Sequence, residues 1–149
     1  MQPASRTTGM PATRRLFAAL AALLLLVASS PATADDADAM DVQRVIADQI
    51  AALGRDDAEV AYSHAAPSIR RRFPTPRIFM RMVAEGYRPV FRPRSFAFTD
   101  FSIEAGEAVQ MLEVVDPDGA PWIAVYTLER QPDGAWRITG CYLRPGTGA

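Results

Sequence analysis

The chain has 149 residues with 16 basic residues, all of them arginine, against 17 acids, which gives a formal charge of −1 and the size of a single domain. That balance argues against binding to nucleic acid, and one cysteine and one histidine exclude an intramolecular disulfide and a two-histidine metal site. Phosphate-loop, dinucleotide, calcium-loop and cysteine-zinc patterns are absent from the sequence, so no cofactor and no metal is expected.

At the start, Arg14 and Arg15 precede an apolar run from Leu16 to Ala28, followed by Ala32-Thr33-Ala34 and then Asp35-Asp36. A positive lead, an apolar run of about 7–15 residues and a small-x-small site describe an export signal, whereas a membrane-crossing helix needs about 20 apolar residues. The expectation is a signal peptide over residues 1–34 and one domain over 35–149, periplasmic or secreted, with no stable membrane insertion after cleavage. Met10 is an alternative start, the arginine pair is compatible with twin-arginine export, and an uncleaved N-terminal anchor is a further alternative. Losing residues 1–34 removes three arginines and no acid, for a formal charge of about −4.

Val42, Val45, Ile46, Gln49, Ile50 and Leu53 recur at three- and four-residue steps, which predicts a helix from about Asp41 to Leu53, ended by Gly54. Asp56 or Asp57 can cap a second short helix through His64, with Val60, Ala61 and His64 on its inner face. Pro67 suits the first turn of a third piece containing Ile69. Thr75-Pro76 opens a fourth, which presents Phe79, Met82 and Val83 and stops at Gly86.

From Pro89 the period changes. Pro89 and Pro93 are expected to hold Val90-Phe91-Arg92 extended. Ser95–Glu104 reads as a strand in which Phe96 and Phe98 have one parity and Phe101 and Ile103 the other, so a bulge near Thr99-Asp100 would reconcile them. Turns at 104–107, 116–119 and 132–134 separate three further strands, about 108–115, 122–131 and 135–143. The third strand carries Trp122, Ala124, Tyr126 and Leu128 on one face. In the fourth, Trp136, Ile138 and Tyr142 are expected to oppose Arg137, Thr139, Cys141 and Leu143, and Arg144–Ala149 is expected to fray. The fold class is α+β: N-terminal helices on a curved antiparallel sheet of about four strands.

Several stretches together resemble the bacterial DUF4864 family: Ala66-Pro67-Ser68-Ile69, Phe79-Met80-x-Met82-Val83, Gly86-Tyr87-x-Pro89-Val90-Phe91-Arg92-Pro93, Leu128-Glu129-Arg130-x-Pro132-Asp133-Gly134 and the Trp136-x-Ile138-x-Gly140-Cys141 ending. The resemblance covers nearly all of residues 35–149 and brings no activity with it. The helices-then-sheet order also looks like the NTF2-like or SnoaL-like superfold, which implies a cone whose mouth holds a small ligand. That superfold hosts isomerases, dehydratases, binding modules and dimerisation domains, so it does not select a function.

Arg70, Arg71, Arg72, Arg77, Arg81, Arg88, Arg92 and Arg94 crowd one segment whose sole acid is Glu85. Arg77 and Arg81 stand four apart on one helix face. Guanidinium groups converging on a pocket mouth would suit a carboxylate or phosphate, whereas dispersed ones would solvate the surface and form salt bridges. Tyr87, Phe91, Phe96, Phe98 and Phe101 line such a pocket or fill the core. His64 is a structural histidine, a pocket group or a general base, and Asp100 at the bulge is a local hydrogen-bond acceptor or a base. Cys141 reads as a small buried residue.

The sequence reading is an exported, non-catalytic module for a small amphipathic or anionic ligand, with Arg77, Arg81, Arg88, Tyr87, His64 and Asp100 as its ligand-binding candidates. A homodimer formed sheet to sheet and a structural protein of the envelope are the alternative of one kind. A lyase or isomerase using Asp100 or His64 is that of another.

Overall fold

Thr33 opens the part of the chain that the computed structural model describes, residues 33–147, by capping a helix. Asp36 N donates to Thr33 Oγ1 at 3.3 Å and Thr33 N donates to Asp36 Oδ2 at 3.0 Å, a reciprocal box that satisfies two otherwise orphaned donors. The helix, α1, therefore spans Ala34–Gly54 and starts well before the expected Asp41, because Asp35 and Asp36 in its first turn favour the positive end of the helix dipole. The expected signal segment, apart from its last two residues, lies outside the described residues. The predicted stripe holds: Val42, Ile46, Gln49, Ile50 and Leu53 are buried, and Val45 packs against the same core.

Three short helices follow: α2 (Ala58–Ser63), α3 (Pro67–Arg72) and α4 (Pro76–Gly86). Asp57 caps α2 by accepting from Val60 N at 3.1 Å, and Thr75 caps α4 by accepting from Ile78 N at 3.2 Å. Phe79 and Val83 of α4 are buried as predicted. Val60 is not: it is 39% exposed, and Ala61 alone of α2 is buried. The expected extended segment is instead one helical turn, α5 (Arg88–Phe91). Pro89 lies in its first turn, where a missing N–H is not needed, so it initiates the turn rather than preventing it.

Four strands, β1 (Ser95–Glu104), β2 (Glu107–Val115), β3 (Pro121–Arg130) and β4 (Trp136–Pro145), form an antiparallel meander in the order β1-β2-β3-β4. The expected cone is not formed. Each strand pairs only with its chain neighbours, the sheet is open, and β1 and β4 are its two edges. Four strands spaced ~4.8 Å apart cover helices about 10 Å wide but cannot wrap round them. Closure is also opposed at β4, whose free edge is taken up by a bridge between Ala65 and Ile138, with Ala66 N donating to Ile138 O at 2.8 Å.

Register explains the parity puzzle of β1. The pairing shifts between Phe98 and Phe101, so Phe96, Phe98, Phe101 and Ile103 face Val114, Leu112, Gln110 and Ala108 on one side of the sheet. A second shift in β4 overturns its expected parity. Leu128 pairs with Ile138 and Thr127 with Gly140, which leaves Thr139 as the extra residue. Cys141 and Leu143 therefore join Trp136 and Ile138 on the helix-facing side, and Tyr142 turns outward, 63% exposed. The chain does not fray at Arg144 either: β4 runs to Pro145, and Gly146 N donates to Pro121 O at 2.9 Å.

Two polar knots hold these parts. Buried Gln110 donates to Asp100 O at 3.1 Å, stitching the β1 bulge, and accepts from Gln43 of α1 at 3.1 Å. Asp116 accepts from Asp118 N, Ala120 N and Trp122 Nε1 at 2.9, 2.8 and 3.0 Å, closing the β2–β3 turn. These bonds, the one from Ala120 first, hold its carboxyl below the usual value of 3.8. A depressed folded pKa stabilises above the unfolded value, and that stabilisation is lost as pH falls through the folded one. Asp116→Ala is thus expected to lower Tm at neutral pH more than Asp118→Ala does, with the gap from wild type narrowing below about pH 4 in thermal melts.

Candidate functional site

Two apolar cores meet without filling the space between them. One joins α1 to the sheet through residues such as Ile46, Leu112 and Tyr126; the other joins the helices through Leu53, Ala61, Phe79 and Val83. Tyr87 touches both. At this seam lies a cavity of about 420 Å³, lined by α1, α3, α4, α5, Tyr126 in the middle of β3 and the bulged part of β4. Its walls are Leu53, Ile69, Phe73, Phe79, Met82, Val83, Val90 and Ile138. Such a size and lining suit a small organic molecule.

Polar groups mark its two ends. Gln49 is 4% exposed and Tyr126 1%, so they belong to the buried end, while exposed Arg72 with half-buried Phe73 and Met82 form the mouth. The Arg72 guanidinium lies 5.9 Å from the Phe73 ring centre. Tyr126 and Cys141 are direct cross-strand partners. Burial, and secondarily the neighbouring thiol, raise the phenol well above its usual value. Burial likewise pushes the Cys141 thiol up to about 12, against a smaller pull from its hydrogen bond with Tyr126. Both groups stay protonated near neutral pH: they can exchange hydrogen bonds, but neither is a base or a thiolate nucleophile.

The β4 bulge builds this end of the site. Without the extra Thr139, the alternation from Trp136 would turn Cys141 away from the helices. Thr139 Oγ1 lies 2.7 Å from Thr127 Oγ1 and donates to Glu107 at 2.7 Å. Gly140 fits because a Cβ there would meet Thr127 Oγ1 at 3.3 Å.

Of the six predicted ligand-binding residues, Tyr87 lines the cavity and the other five do not. Arg77 and Arg81 are exposed on the outer side of α4. Arg88 pairs with Asp118 at 3.1 Å, Arg92 with Asp56 at 2.6 Å, and Arg94 donates to Pro117 O at 3.0 Å. Arg70 caps the end of α2 through Ser63 O and Ala65 O and stacks 5.1 Å over Tyr62. Of these arginines Arg72 alone lines this cavity, while Arg70 and Arg71 join Arg137 along a second, more open groove beside the β3–β4 turn, and the others point to separate partners or to solvent. His64 follows α2, half-buried, its pKa lowered chiefly by burial, with Asp48 opposing and Arg137 assisting. Asp100 is exposed, and its carbonyl serves Gln110. Among the described residues, no group of three or more His, Cys, Asp or Glu is placed to hold a metal, and no helix is long and apolar enough to cross a membrane.

Sequence reasoning missed Gln49, Arg72 and Tyr126 as site residues. Gln49 did carry a signal, as the one polar side chain in an apolar helical stripe. Gly140 inside a strand was the signal for the second bulge.

Residues 35–149 match the model of a domain of unknown function, DUF4864, and the chain belongs to that family. No curated protein matches it. Among solved structures it is similar to an NTF2-like protein of unknown function from Silicibacter pomeroyi, with TM-score 0.54 and 14% identity over 76% of this chain and 100% of that one. It is likewise similar to an NTF2-like protein of unknown function from Shewanella baltica, with TM-score 0.52 and 11% identity over 76% and 99%. The chain thus has an NTF2-like fold, in a version with an open sheet.

Proposed function

We propose that this member of the DUF4864 family is a binding module that holds a small amphipathic anion, with its apolar body in the seam cavity and its charged group at Arg72. The observation that carries the reading is the cavity itself: apolar walls between two finished cores, with one guanidinium at the mouth. A catalytic role receives no support from the ionisable groups in the lining. Tyr126 and Cys141 are held protonated, while His64 and Asp100 stand outside the cavity. The candidate anion site therefore moves from Arg77 and Arg81 to Arg72.

Decanoate binding, followed by calorimetry, tests this. Arg72→Ala is expected to weaken binding about three- to tenfold, as loss of one charge-assisted contact does, and Arg77→Ala with Arg81→Ala to leave it unchanged. The reverse pattern would return the site to the outer face of α4.

Export remains part of the proposal, on the strength of the apolar run and small-x-small site within residues 1–34. Chain recovered from the periplasmic or secreted fraction should begin near Asp35; recovery of unprocessed chain from the cytosol alone would remove this part.

A further inference from the structure

The buried end of the cavity holds an acceptor with no donor. Gln49 Nε2 donates to Ala61 O at 3.1 Å, which fixes the orientation of the amide, because a carbonyl only accepts. Its Oε1 receives no hydrogen bond from any described residue. Nor is that oxygen sealed in: among the described residues, Trp136 Nε1 is the sole side-chain nitrogen or oxygen that is both fully enclosed and without a partner. Gln49 Oε1 is therefore within reach of a small donor, and Gln49 is one of the residues that line the cavity. The Tyr126 hydroxyl, kept protonated, belongs to the same buried end.

Resting on the reading above, we infer that the ligand carries a hydroxyl at the end remote from its anionic group. That hydroxyl donates to Gln49 Oε1, and its own oxygen accepts from Tyr126 once the phenol's single proton turns from Cys141 to the ligand. An apolar ligand end would strip water from Oε1 and leave it unpaired. An ammonium would be buried in a lining that offers no carboxylate to neutralise it. A neutral donor is what remains, and the chemical class is a hydroxyl-terminated amphipathic carboxylate.

Calorimetry with ω-hydroxydecanoate and decanoate on the purified protein tests the inference. The hydroxy acid should bind about tenfold more tightly or better, since a site built to meet a hydroxyl discriminates against the analogue lacking it. In Gln49→Met the preference should collapse toward one. Because that variant also loses the bond to Ala61, Tyr126→Phe supplies a second comparison that keeps Gln49, and there the preference should shrink while a thermal melt still shows a folded protein. Decanoate binding as tightly as the hydroxy acid in the wild-type protein would overturn this inference, with water meeting Gln49, and would leave the cavity reading standing. Binding of neither compound would overturn the cavity reading and this inference with it.

Discussion

Trp136→Ala is expected to destabilise the fold by about 3–5 kcal/mol, the range for deleting a buried indole. Trp136 is 5% exposed at the start of β4 and belongs to the core between α1 and the sheet. Its ring also carries a link between layers. The Arg130 guanidinium stacks 4.7 Å from the ring centre, and the same guanidinium pairs with Asp38 of α1. Removing the indole leaves a void and takes away the face on which Arg130 stacks, leaving its pairing with Asp38 unsupported. Trp136→Phe separates the two roles of the ring, because it keeps an aromatic face and removes the enclosed N–H that has no partner. An unpaired buried donor costs about 1–3 kcal/mol, which offsets part of the lost packing, so the net change for Phe is expected to stay within about 1.5 kcal/mol. Urea unfolding followed through the remaining Trp122 reads both values. A loss below about 1 kcal/mol for Trp136→Ala would mean that the sheet and α1 do not depend on this contact.

What could be read in advance follows a physical division. The α1 stripe, the caps at Asp57 and Thr75 and the four strands are local, each set by spacing or by one side chain within reach of one turn, and they stand as expected. The β1 bulge was legible because large apolar side chains on both sides of it, Phe96 and Phe98 against Phe101 and Ile103, make either uniform parity implausible. The β4 bulge was not. Tyr142 and the pair Cys141 and Leu143 are all able to face a core, so hydrophobicity could not choose between them, and Gly140 was the remaining clue. The start of α1 was hidden because Thr33 lies within the segment read as an export signal. Openness of the sheet is a tertiary outcome: it depends on strand number and on what covers β4, here the backbone of residues 64–66.

The site divides in the same way. Eight arginines in one segment are visible in the sequence, but whether they converge depends on which helix face each occupies and which partner reaches it. Asp118, Asp56 and the carbonyls of Ser63, Ala65 and Pro117 come from other parts of the chain and engage four of them. Gln49 and Tyr126 lie 77 positions apart and share a cavity only because two separately filled cores leave a seam. No spacing rule along the chain encodes that.

Val83→Phe should abolish most ligand binding while leaving the domain folded. Val83 is 6% exposed, sits on α4 in the helical core and lines the cavity wall. In a closed core the larger ring would clash and cost about 1–3 kcal/mol. Here the added carbons have about 420 Å³ of seam to enter. The destabilisation is therefore expected to remain under about 1.5 kcal/mol, since burying more apolar surface compensates part of the strain. The same ring occupies the space claimed for the apolar body of the ligand. Decanoate affinity should fall at least about tenfold, or 1.4 kcal/mol, with Arg72 and Gln49 both intact. That separates a filled cavity from a lost polar contact: the Arg72 variant weakens the charged end, whereas Val83→Phe excludes the chain for any head group. Calorimetry alongside a thermal melt decides it. Undiminished affinity in a folded Val83→Phe protein would place the anion elsewhere and reduce the seam to a packing defect between two cores.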